Sequence, residues 1–322
     1  VYPPRFPLPR LVSAALLGAA LLGLLGSCAS GEVPLTGQPG KRARSALIAA
    51  GDADSLAAVA MFGPSWDKAP EERVALIARA SAVAPERADL VWLHLQICRR
   101  VPACEPQPIE ARLRQLDPGN AAAWSGELER STVLADPAQI LATLAAIGDA
   151  ERFDIYWNTT LVHLTRAMSK AQATDLSTAL VTTIGVAAAQ AMPAYQRIGR
   201  ACSGPPLEQP DTLAACRRVA AVLRRGDTYI TEMIGLAIAK RVWPEGSPEY
   251  QDAVAARRVA RYRMDTYSRI DSATAKDDAG AQRYLDALAA HRTEQEVFVA
   301  EIVRAGLDPN PGKDWTDTLG AQ

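Results

Sequence analysis

The hydrophobic positions of this chain fall into three regimes. From Leu11 to Gly26 they run on without a charge. Through residues 28–44 they thin out among Gly31, Pro34, Gly37, Pro39 and Gly40, then Lys41, Arg42 and Arg44, the composition of a flexible tether. From Ser45 onward Ala and Leu dominate, Gly and Pro fall between segments, and no period-2 run of Val, Ile or Thr is convincing. The pattern predicts an all-α fold. Gly51-Asp52, Gly148-Asp149 and Gly226-Asp227 read as stop–start signals: glycine ends one helix with positive φ and aspartate caps the next. Asp136-Pro137 and Ser247-Pro248-Glu249 read as a cap followed by proline in the first turn.

The two halves differ in rhythm. Residues 45–171 read as short helices and residues 172–322 as longer ones. Leu176 to Arg200 is nearly all Ala, Val, Leu and Thr, and Pro193 within it predicts a kink or a junction of two helices. Ile230, Met233, Ile234, Ala237 and Ile238 form an amphipathic stripe, expected to face the core. Pro248–Asp271 and Asp277–Gly306 read as two long helices able to pair antiparallel.

The apolar run at the start is an export signal by pattern: Arg5 and Arg10 precede it, with no acid. Its helical length of roughly 24 Å falls short of a ~30 Å hydrocarbon core. It ends in Leu25-Gly26-Ser27-Cys28, which resembles a bacterial lipobox. The resemblance implies a leader over residues 1–27 and lipidation of Cys28, whose acyl chains would supply the anchor at about 0.8 kcal/mol per buried methylene. Ala29 stands where inner-membrane lipoproteins commonly carry Asp. The implied address is therefore the outer membrane, facing the periplasm.

Residues 45–171 carry a weak repeat. Pro85 precedes Trp92 as Pro118 precedes Trp124, and Trp157 continues the spacing without a matching proline. The stretch from Leu116 through Asp117-Pro118-Gly119-Asn120 to Trp124 resembles the junction between tetratricopeptide repeats, and Ala80 fits that family's small crossing residue. Leu113 in the equivalent place, and no glycine four residues after Trp124, depart from the pattern. The resemblance implies degenerate helical hairpins, with the longer-helix bundle after them.

Charge changes little in this picture. The formal charge of −1 becomes −3 once Arg5 and Arg10 leave with the leader, which argues against a nucleic-acid binder. Cysteine is more informative. With Cys28 assigned to lipid, Cys98, Cys104, Cys202 and Cys216 remain, an even set in an exported chain. Of three connectivities, Cys98–Cys104 with Cys202–Cys216 is favoured, because each pair brackets a proline-containing turn. The rival is metal, through the His94, Cys98 and Cys104 pattern H-x3-C-x5-C, which lacks an obvious fourth ligand.

No catalytic constellation emerges. His94, His163 and His291 lie in different predicted helices, and no G-x-S-x-G, H-E-x-x-H, Walker-type or G-x-G-x-x-G pattern is present. No cofactor is implied. The strongest basic run is Arg257-Arg258-Val259-Ala260-Arg261-Tyr262-Arg263. Its default reading is a solvated helix face; its sharper one is a contact for anionic lipid heads or a partner's carboxylates, through Arg257, Arg258 and Arg261. The expected function is a non-enzymatic interaction or scaffold module, held at a membrane and binding a protein or peptide. Two other readings stay open: a binder of a small apolar ligand or lipid between the long helices, and an envelope enzyme with a site assembled from scattered residues.

Overall fold

A computed structural model describes residues 35, 37–63, 69–271 and 277–316. The leader and Cys28 lie outside the described residues. The helices are α1 (Gly37–Ala50), α2 (Ala53–Phe62), α3 (Pro70–Val83), α4 (Ala88–Cys98), α5 (Pro106–Leu116), α6 (Ser125–Val133), α7 (Pro137–Gly148), α8 (Trp157–Lys170), α9 (Leu176–Ala201), α10 (Pro210–Leu223), α11 (Tyr229–Val242), α12 (Pro248–Asp271), α13 (Asp278–Ala290) and α14 (Glu294–Arg304). Short 3-10 turns cover Ala121–Trp124 and Pro205–Glu208. The fold is all-α, with no strand among the described residues.

Local capping chemistry sets most boundaries. Gly51 takes φ +68°, and the Asp52 carboxylate accepts the Ser55 N–H at 2.9 Å to open α2. Asp136 accepts the Gln139 N–H ahead of Pro137, and the Ser247 hydroxyl accepts the Tyr250 N–H ahead of α12. Asp175 caps α9, which continues as one helix past position 193 rather than as two.

Elsewhere the structure corrects the sequence reading. Helix α1 starts at Gly37, inside the stretch read as tether, because Ala43 and Leu47 are buried against α2. The single helix expected over Asp277–Gly306 is two. Thr293 and Glu296 form a capping box that starts α14 afresh after His291. Gly148 and Gly226 are glycines of close approach. A Cβ at Gly148 would lie 2.8 Å from Arg218 Cβ, and one at Gly226 would lie 2.3 Å from Thr231 Cγ2. The α11 stripe is also displaced. Of its five residues only Ile238 is fully buried, and the inner face is Thr231, Gly235, Leu236, Ile238, Ala239 and Val242. Gly235 sets that rotation: a Cβ there would lie 2.9 Å from the Ala220 carbonyl oxygen of α10.

Two cores result. The first gathers α1 to α4 around Leu56, Phe62 and Ile77, and takes in Leu164 and Met168 of α8. The second runs from α4 to α14 and holds Trp92, Phe153, Trp157, Leu236 and Phe298. Helix α2 packs on α3 and also on α8, while α7 packs on α10, α8 on α9 and α13, and α12 on α11 and α14. The chain therefore returns on itself across long sequence separations.

Candidate functional site

The cysteines pair locally. Cys98–Cys104 and Cys202–Cys216 are joined at 2.02 and 2.00 Å. Both sulfurs of the H-x3-C-x5-C pattern are thus consumed, and the zinc alternative loses its thiolates. His94 is half-buried, and burial lowers its pKa. His163 Nδ1 lies 2.8 Å from Asp54 Oδ2. Burial works against the Asp54 charge, but His163 and Arg87 hold its carboxyl below the usual range. The His291 carbonyl accepts from Asn158 Nδ2 at 2.9 Å. Among the described residues no group of three or more His, Cys, Asp or Glu is arranged to hold a metal ion. None of their helices is long and apolar enough to cross a membrane.

The basic run lies on α12, and there the structure brings an unforeseen partner to it. Arg258 donates through Nη2 to the carbonyls of Gly312 (2.6 Å), Trp315 (2.9 Å) and Lys313 (3.3 Å). The Tyr262 hydroxyl donates to the Asp308 carbonyl at 2.9 Å, and Arg263 Nε to the Pro309 carbonyl at 3.1 Å. The Trp315 ring meets Tyr262 edge-on at 5.5 Å and lies 5.6 Å from the Arg258 guanidinium. Arg257 and Arg261 are half-buried on the same helix. Residues 308–315 thus form a strap, laid over α12 by side-chain donors that read main-chain oxygens. The strap itself is turned, with the Trp315 N–H on the Gly312 carbonyl at 3.2 Å and the Asn310 N–H on the Asp308 carboxylate at 2.8 Å. The sequence showed the donors but not the occupant, because the strap has no periodicity; Pro309, Pro311 and Trp315 were its only signal.

Two buried carboxylates stand apart from that face. Glu110, fully buried, is held by Arg130 at 3.0 and 2.6 Å and by Arg99 at 3.1 Å. Its hydrogen bonds raise the Arg130 pKa, while burial lowers that of Arg99. These guanidiniums back an open cleft of about 300 Å³ beside Cys98–Cys104. Both are already committed to Glu110.

Asp227, 2 % exposed, has none of this cationic contact. Its oxygens accept the N–H groups of Ile155 (3.1 Å) and Trp157 (2.8 Å), where Tyr156 takes φ +58° at the start of α8. Its own carbonyl accepts the Glu294 N–H, and the Glu294 carboxylate accepts the Tyr229 N–H, both at 2.8 Å. Burial and the neighbouring Asp154 charge push the Asp227 carboxyl up to about 8, against those two donors. Although Glu294 as a residue is only half-buried, burial of its carboxyl pushes it up to about 7. Around this centre Arg152 holds Asp117 and Asp154, Tyr156 donates to Asp117 at 2.7 Å, and Arg292 reaches Asp154 at 3.1 Å. The centre joins α8, α11 and α14. Its carboxylates serve backbone donors and guanidiniums.

No family model, no curated protein and no solved structure matches this chain.

Proposed function

We propose that the chain is a lipoprotein of the bacterial envelope, anchored through lipid on Cys28 to the outer membrane on its periplasmic side, and that its helical body is a non-enzymatic module for binding protein or peptide. The observation that carries the binding reading is the α12 face, where Arg258, Tyr262 and Arg263 hold residues 308–315 by their carbonyls. Two disulfides suit an oxidising compartment, and the Leu25-Gly26-Ser27-Cys28 pattern supports the anchor. Within this reading residues 45–171 are a degenerate helical repeat of tetratricopeptide type. The α3–α4 hairpin around Pro85, with Ala80 and Trp92 buried, supports it.

The anchor is tested by metabolic labelling with a fatty acid. Label is expected on the native chain and absent from Cys28→Ser; a labelled Cys28→Ser chain refutes it. The binding role is tested by crosslinking in intact cells followed by mass spectrometry. A reproducible protein partner is expected, and none at all would sink the module reading.

A further inference from the structure

We propose that the outward face of α1 docks on the anionic surface of the membrane that carries the anchor, with Lys41 and Arg42 against lipid phosphates. The inference rests on the lipid anchor proposed above and adds an orientation of the body on the bilayer. Three observations carry it.

The first is how closely the body is held. A tether running from Cys28 to Arg44 would reach about 55 Å when fully extended. The fold takes hold of the chain much earlier. Leu35 is 2 % exposed and belongs to the first core, and α1 begins at Gly37. From Cys28 to Leu35 the chain spans at most about 25 Å. With lipid on Cys28, the first core therefore stays beside the bilayer, and the headgroups are present at high local concentration.

The second is which side of α1 looks outward. Gly40, Ala43 and Leu47 are buried on its inner side. Gln38, Lys41, Arg42, Ser45 and Ala49 are exposed, at the three-to-four-residue spacing of a single helix face. That face belongs to the helix the tether enters.

The third is charge. Helix α1 carries Lys41, Arg42 and Arg44 and no acid. Glu72 of α3 takes up Arg44 and so fixes α1 on the body. Lys41 and Arg42 are exposed and have no ion pair among the described residues. An ammonium and a guanidinium both suit phosphate. Their attraction to an anionic leaflet is felt within about a Debye length, ~8 Å, which the short reach from Cys28 allows.

The test uses the full lipidated chain in vesicles of phosphatidylcholine, with or without phosphatidylglycerol, each holding a lipid spin-labelled at its headgroup. Ser45→Cys carries a fluorophore on the α1 face, and Asp211→Cys carries the same fluorophore on α10, in the second core. Quenching is expected at position 45 when phosphatidylglycerol is present, well above that at position 211, and is expected to fade as salt is raised. Neutralising the pair, Lys41→Gln with Arg42→Gln, is expected to weaken docking roughly fivefold per cation, about twentyfold in all. The exchange Lys41→Arg with Arg42→Lys keeps the charge and is expected to keep the quenching.

Quenching at position 45 that ignores phosphatidylglycerol, survives neutralisation, or is matched at position 211 overturns the proposal. All the substituted side chains are exposed, so the fold is expected to survive each change, which circular dichroism checks. Fatty-acid labelling of the same preparations separates the two readings. A labelled chain with no quenching at position 45 overturns the docking face and leaves the anchor standing. A native chain without label removes both.

Discussion

Glu110 and Asp227 are both sunk out of water, and the two regions around them keep a carboxylate by different means. Glu110 is neutralised by two guanidiniums from α4 and α6, all within one stretch of the first half. Asp227 relies on two backbone N–H groups of the segment that opens α8, some seventy residues earlier, and on a raised pKa. The first is a clamp between neighbouring helices. The second is a tie between halves of the chain. An acid facing only backbone dipoles in a dry site responds to protons. The comparison can be broken from either side.

The largest effect is expected at the clamp. Glu110→Ala leaves Arg99, 16 % exposed, without its carboxylate, while Arg130 keeps Glu127. Breaking a buried pair from one side typically costs about 4 kcal/mol. Urea denaturation is expected to show a loss of that order. A loss below about 1 kcal/mol would mean that the clamp is wet and behaves as a surface pair.

The tie gives a smaller effect with a pH signature. Asp227 and Glu294 have folded pKa values of about 8 and about 7, above their ordinary 3.8 and 4.5. A group that holds its proton more tightly when folded contributes stability fully present below its unfolded pKa. That stability is lost as pH rises through the folded value. Stability is therefore expected to fall as pH rises from about 4 to about 8. Asp175 and Asp54, whose folded values are lowered, act oppositely and only at acid pH: their contribution is lost as pH falls below about 4. Asp227→Asn is expected to flatten most of the neutral slope, leaving the part due to Glu294. Thermal melts across pH 4 to 8 check this, and a stability that rises from pH 5 to 8 in the native chain would refute it.

The same contrast explains what could be read from sequence. The all-α class, the caps at Asp52, Asp136 and Ser247, the bounds of α12 and the local cysteine pairs were legible, because each depends on residues a few positions apart. Gly148-Asp149 and Gly226-Asp227 look like Gly51-Asp52, yet serve tertiary ends. Gly148 admits Arg218, Asp149 pairs with Arg218, and Asp227 binds a backbone seventy residues away. A dipeptide cannot show which neighbour will arrive. The candidate site was half legible for the same reason. The Arg257–Arg263 run stood out by composition, but its occupant has neither a helical nor a strand period and lies across a sequence gap of some fifty residues.

The smallest effect is expected at the rim of the tie, where redundancy can be measured. The Tyr156 hydroxyl donates to Asp117 at 2.7 Å and accepts from Asn120 Nδ2 at 3.0 Å. Tyr156→Phe removes both bonds but orphans neither partner. Asp117 keeps two bonds from Arg152 Nη2 at 2.7 Å, and Asn120 Nδ2 keeps the Asp154 carbonyl at 2.8 Å. An exchange that leaves no buried group unpaired costs only the net value of a hydrogen bond, about 1 kcal/mol. The ring remains, and so does the left-handed backbone at this position, where Phe fits no better and no worse than Tyr. The pH slope should also survive, since Asp227 and its two backbone donors are untouched. Urea denaturation at pH 5 and pH 8 reads both quantities at once. A loss above about 3 kcal/mol, or a vanished slope, would show that the rim and the centre act as one network.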